Sequence, residues 1–128
     1  MKVLLDTVTF LWIVLSPSRL SSVAVKLYQD PLNDVYLSAA SVYEVVVKVM
    51  LGKLNVGGFP TNFIRAERES RGILPLPIDE AAAFAVERLP AIHADPFDRL
   101  LIAQSIVSEM TLLTPDTVIA RYPIRTVW

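Results

Sequence analysis

Apolar residues along this chain fall in short unbroken runs rather than in alternation. The first, Val3-Leu4-Leu5, stops on a carboxylate at Asp6. A strand that is apolar on both faces must be covered on both faces, which is the habit of a central strand in a parallel α/β sheet. Comparable runs at Val35–Leu37, Ile73–Leu76, Thr111–Thr114 and Arg125–Val127 predict four more strands. Pro75 assigns the third of these to an edge, since proline cannot donate to a ladder. Between the strands lie helical segments: Thr7–Leu15, closed by Ser16-Pro17, and a helix capped by Ser21-Ser22 that runs through Tyr28. Ser38 caps Ala39–Leu51, which stops at Gly52, and Thr61–Arg71 stops at Gly72 after a loop over residues 53–60. Asp79 caps Glu80–Arg88, Asp95-Pro96 opens a helix to Met110, and Pro115–Arg121 is a short helix. Strands alternating with helices predict a doubly wound α/β fold, and without repeat or linker residues 1–128 read as a single domain.

A chain of 128 residues is long enough for a real core. At 53% hydrophobic residues, part of the apolar surplus is expected to cover an interface. The net charge of −1 provides no global attraction to nucleic acid, so any such binding needs a local patch. Absence of cysteine excludes disulfides and thiolate metal sites and fits a reducing compartment. Lys2 and the apolar run behind it imitate a secretory signal, but Asp6 interrupts the run and Ser16-Pro17-Ser18 reads as a turn. The uncharged stretch from Thr7 is too short to span a bilayer. The expectation is a soluble, cytoplasmic protein with no membrane association.

Four acids then stand out, each with a bland explanation beside it. Asp6 ends the first strand, where an Asp is often just the cap of the next helix. Glu44 fits a capping box with Ser41 and an i, i+4 pair with Lys48, although Val42, Val45, Val46 and Val47 surround it with apolar neighbours. In Asp95-Pro96-Phe97-Asp98 the first acid is a cap with proline at N1. Asp98 falls at N3, where the helix dipole welcomes it. Asp116 follows Thr114-Pro115, which by themselves would start a helix. What no separate explanation covers is the coincidence: Asp6, Glu44 and Asp116 follow different strands at the same end of a parallel sheet, where such sheets bind ligands. Asp98 heads the helix leading to the fourth strand. Carboxylates gathered at ~4–5 Å repel by roughly 3–4 kcal/mol per pair at an effective dielectric near 20. Such a cluster must take up protons or bind a hard cation. Oxygen donors with a single histidine, His93, point to Mg²⁺, or Mn²⁺, rather than zinc.

The same segments resemble a PIN-domain ribonuclease, and more narrowly the VapC toxins of type II toxin–antitoxin pairs. The resemblance is carried by Leu4-Leu5-Asp6-Thr7 with Leu11-Trp12, by Ser38-Ala39-Ala40-Ser41-Val42-Tyr43-Glu44, and by Lys48 with Leu51-Gly52-Lys53-Leu54. Its most specific part is His93-Ala94-Asp95-Pro96-Phe97-Asp98-Arg99-Leu100-Leu101-Ile102-Ala103-Gln104, followed by Leu113-Thr114-Pro115-Asp116. These segments cover nearly the whole chain in the family's order. The resemblance implies a three-layer α/β/α domain with a parallel sheet of order 3-2-1-4-5 and an acidic quartet of Asp6, Glu44, Asp98 and Asp116. Asp6 and Asp98 would hold Mg²⁺, with Asp116 helping directly or through water, and Glu44 would orient or deprotonate the attacking water. Asp95, Thr7, Thr114, Lys48 and Arg99 are additional site candidates, and Lys48, Lys53, Arg99 and Arg121 are candidate phosphate contacts. The implied reaction is metal-dependent RNA hydrolysis leaving a 5′-phosphate and a 3′-hydroxyl. The implied partners are an RNA substrate, a small antitoxin and a second copy in a homodimer. Phe10, Trp12, Ile13 and Val14 are candidate partner surface, with core packing as the competing use.

One departure stands out: many relatives carry His two residues after the first Asp, where this chain has Val8. A haloacid-dehalogenase-type phosphatase would need a second Asp at that position, and a receiver domain would place its acids after other strands. The remaining alternative is a catalytically weak PIN-like module that binds protein or RNA.

Overall fold

The computed structural model describes residues 1–128. Its five strands are β1 (Lys2–Leu5), β2 (Asp34–Ser38), β3 (Leu74–Leu76), β4 (Thr111–Leu113) and β5 (Thr126–Val127). All pair in parallel, in the order β3-β2-β1-β4-β5. The six helices are α1 (Thr7–Leu15), α2 (Ser22–Gln29), α3 (Ala39–Met50), α4 (Pro60–Arg71), α5 (Glu80–Ala85) and α6 (Pro96–Val107). No helix is long and apolar enough to cross a membrane.

The unalternating strands do what their composition demands. Val3 and Leu5 of β1 join Phe10, Leu37, Val45 and Leu113 in a core on one face of the sheet. Leu4, between them, joins Leu101, Ile102 and Leu112 on the other. Successive side chains point to opposite faces, so a strand buried by both cores has no solvent side to leave polar. Phe10 and Ile13 belong to this packing, while Trp12 and Val14 are half-buried. Pro75 sits in β3, which pairs only with β2 and is an edge strand as its proline requires.

Ends of elements differ from expectation where proline or a side chain intervenes. The stretch Glu80–Arg88 is not one helix: α5 stops at Ala85 and tightens into a 3₁₀ turn over Val86–Arg88. Leu89, before Pro90, is forced to an extended conformation (ψ 140°). The expected helix Pro115–Arg121 shrinks to a 3₁₀ turn at Ile119–Arg121. Asp116 Oδ1 takes the Val118 and Ile119 N–H groups, and Tyr122 before Pro123 is again extended. Helix α6 ends at Val107, short of Met110, because Glu109 adopts a left-handed conformation (φ 53°) and Met110 N–H returns to the Ser105 carbonyl at 2.8 Å. No glycine marks that stop. Gly72, at φ 66°, does end α4.

Buried Gln104 ties α6 to the sheet. Its Oε1 accepts from the Ser38 hydroxyl at 2.5 Å, and its Nε2 donates to the Pro77 carbonyl at 3.2 Å. Gln104→Leu would take the acceptor from the buried Ser38 hydroxyl, at roughly 1–3 kcal/mol, while the carbonyl of exposed Pro77 can turn to water. The variant is expected to melt several degrees lower, and an unchanged melting temperature would show that these bonds carry no stability.

Candidate active site

Asp6 occupies the N-cap position of α1, yet its side chain makes no capping bond. Its carboxylate accepts instead from the Thr114 hydroxyl at 2.6 Å, at the ends of the paired strands β1 and β4. The bland explanation of Asp6 is therefore not the one the fold uses. The carboxyl is buried, and burial raises its pKa above the ordinary value. The Thr114 hydroxyl opposes this rise, while the Glu44 and Asp116 charges add to it.

Around Asp6 the chain assembles a cleft lined by Glu44, Asp95, Asp98 and Asp116, with Thr7, Val8, Trp12, Lys48 and Pro115. Every member of the expected quartet is there. Glu44 comes from α3 and pairs with Lys48 at 3.1 Å. The expected capping box with Ser41 is not formed: Ser38 caps α3 through the Ala40 N–H, and the Ser41 hydroxyl accepts from buried Thr7 at 2.9 Å. Thr7 thus joins α1 to α3 beside the acids. At the rim Tyr43 and Phe97, the neighbours of Glu44 and Asp98, have ring centroids 5.8 Å apart and pack α3 against α6.

Asp95 does cap, accepting from the Phe97 N–H at 2.8 Å and more weakly from the Asp98 N–H at 3.5 Å, and it also lines the cleft. Capping and site membership are compatible here. Asp98 carries the largest electrostatic load. Burial, then the Asp6 and Asp95 charges and finally Glu44, against an opposing His93, push its pKa up to about 7. Asp116 spends Oδ1 on the Val118 and Ile119 amides and turns Oδ2 toward His93. Its own N–H donates to the Thr114 hydroxyl at 3.0 Å, so Thr114 links two of the acids.

Four placements depart from the sequence reading. Arg99 is turned away from the cleft: its guanidinium donates to the Pro90 and Val86 carbonyls and to the Tyr122 hydroxyl. Three oxygens already hold it, which makes it a brace rather than a phosphate contact. Lys53 and Arg121 do not line the cleft either, leaving Lys48 as its cation. Conversely, His93, which the sequence reading places in the most specific segment without a role in the site, has its Nε2 3.0 Å from Asp98 Oδ2 and 3.3 Å from Asp116 Oδ2. Its place two residues before Asp95 in the most specific segment was the available signal.

Ligand atoms of Glu44, Asp95 and Asp98 lie within 4.8 Å of one another, as do those of His93, Asp98 and Asp116. Asp98 belongs to both groups. Crowded carboxylates with one held near neutral pH are a donor set that a hard dication would satisfy.

The PIN-domain family model matches residues 3–124, and the chain belongs to the PIN domain family. No curated protein matches it in sequence. Among solved structures it is similar to VapBC2 from Rickettsia felis bound to a DNA fragment from their promoter, at 14% identity and TM-score 0.72 over 99% of this chain and 98% of that one. It is also similar to VapBC-1 from nontypeable Haemophilus influenzae (14%, 0.65, 99% and 97%). A third similar structure is FitAcB from Neisseria gonorrhoeae (24%, 0.63, 98% and 96%). The sheet order and family expected from the sequence both hold.

A carboxyl whose folded pKa lies above its unfolded value binds protons more tightly when folded, so stability falls as pH rises between the two values. For Asp98 that window runs from 3.8 to about 7, and burial acts on Asp6 with the same sign. Metal-free protein is expected to be less stable at about pH 8 than at about pH 5, by roughly 2–3 kcal/mol from Asp98 before solvent screening reduces it, and so to melt at a lower temperature. Asp98→Asn should flatten that slope. A metal-free melting temperature that rises over the same window would refute the burial of charge described here.

Proposed function

We propose that the chain is a divalent-metal-dependent endoribonuclease, the toxin of a toxin–antitoxin pair of the VapC kind. One observation carries this reading: Asp6, Glu44, Asp98 and Asp116, from four separate segments, converge on one cleft, with Asp6 forgoing its helix cap to do so. Membership of the PIN domain family and the likeness in fold to VapBC and FitAcB structures support it.

Asp6, Asp98 and Asp116 would hold Mg²⁺ or Mn²⁺, with Asp95 beside them. The ion, when bound, supplies positive charge against the scissile phosphate and acidifies a water. Glu44, paired with Lys48 and lining the same cleft, would orient that water and take its proton. Lys48, 44% exposed in its side chain, can leave Glu44 for an RNA phosphate at little cost, since such surface pairs are weak. Val8, Trp12 and Pro115 form the uncharged part of the lining, against which sugar or base can lie.

Exposed apolar side chains provide surface for protein partners. Tyr43, Met50, Leu51 and Phe59 lie on or beside α3 and α4, and Phe84, Ile106 and Val107 lie on α5 and α6. An antitoxin segment and a second copy of the chain are the partners this reading assigns to them, in a cytoplasmic protein.

Purified protein incubated with a mixed RNA pool should cleave it with Mg²⁺ or Mn²⁺ and not with chelator. Asp6→Asn should lose at least about 100-fold in rate, more than is typical for removing a group that merely supports a ligand. Loss of both cleavage and calorimetric metal binding in the wild type would sink the nuclease reading and favour a binding module.

A further inference from the structure

We propose that His93 is a positioning residue that donates its Nε2–H to Asp98 and Asp116 and does not itself bind the ion. The proposal rests on the reading that this cleft takes a divalent cation.

The tautomer follows from the backbone. The Asp95 N–H points at His93 Nδ1 from 3.1 Å. An amide can only donate, so Nδ1 must present its lone pair and the ring proton must sit on Nε2. That nitrogen lies 3.0 Å from Asp98 Oδ2 and 3.3 Å from Asp116 Oδ2, so one N–H serves two carboxylates. The Asp95 amide holds the ring, and the Tyr122 hydroxyl holds the backbone that carries it. The His93 N–H donates to the Tyr122 hydroxyl at 2.7 Å, and Arg99 Nη1 donates to the same oxygen at 3.2 Å. Arg99 also grips Pro90 and Val86, closing the brace around the segment that carries His93.

His93, Asp98 and Asp116 would pass as a metal triad on proximity alone. Coordination through Nε2, however, requires the ring proton to move to Nδ1, where it would face the Asp95 N–H donor to donor at 3.1 Å. The geometry therefore favours a donor that aligns two ligands, the service that partners behind a metal site commonly provide.

His93 is the only histidine, so one pair of imidazole nitrogen resonances reports it. In nitrogen-15 NMR of metal-free protein, well above the ordinary imidazole pKa of about 6.5, the Nε2–H pattern is expected. Saturating Mg²⁺ should leave it unchanged. An Nδ1–H pattern, before or after Mg²⁺, overturns the proposal. Calorimetry with Mn²⁺ supplies the second arm. His93→Ala should weaken binding about tenfold, and His93→Gln, whose amide offers N–H at similar reach, should recover most of the loss, with circular dichroism confirming that both fold. Alanine binding as tightly as wild type, or glutamine no better than alanine, overturns it. A wild type that binds neither ion in calorimetry overturns the metal-site reading, whereas one that binds Mn²⁺ but shows the Nδ1–H pattern overturns the positioning role alone.

Discussion

Carboxylates brought together in a half-buried cleft repel one another by several kcal/mol per pair, and the surroundings of this cleft are arranged against that repulsion. Asp6 receives the Thr114 hydroxyl, Glu44 receives Lys48, and Asp98 and Asp116 face one imidazole. Backbone amides serve Asp95 and the other oxygen of Asp116. These donors are enough to fold the site, but not enough to let Asp98 ionise at its ordinary pH. The remaining electrostatic strain is what a dication would relieve, so the tension in the fold and the chemistry of the site have one source.

The sheet decides where that tension is placed. In the order β3-β2-β1-β4-β5 the chain leaves β1 in one direction for β2 and returns on the other side as β4, and ligands of open parallel sheets bind at such a point. Asp6 and Thr114 follow the two strands that meet there, which puts a carboxylate and a hydroxyl side by side without any loop to position them. Two cores hold β1 from both faces, so the rigidity of the site begins with Val3, Leu4 and Leu5.

Much of this was legible in the sequence because it is written in local chemistry: unalternating apolar strands, Pro75 at an edge, Ser38 and Asp95 as caps, Gly72 as a stop. That the four acids share one cleft was legible from Asp6, Glu44 and Asp116 following strands and Asp98 heading the helix before β4, and the resemblance of their segments to PIN domains agreed. What escaped depends on contacts remote in sequence. Arg99 looked like a phosphate ligand until Val86, Pro90 and Tyr122 were folded around it. That His93 serves Asp116, 23 residues on, as well as nearby Asp98 is set by the fold. The helix expected after Pro115 failed because Asp116 competes for the amides that would start it, a local effect whose outcome depends on where the rest of the chain aims that side chain.

Anomalous diffraction from crystals soaked in Mn²⁺ would test most directly whether the cleft exists to hold a cation. A peak within about 2.5 Å of carboxylate oxygens of Asp6 and Asp98 is expected, with His93 still hydrogen-bonded to the acids. A cleft empty at saturating Mn²⁺, with its carboxylates still crowded together, would contradict the claim that their repulsion is there to be neutralised by a metal.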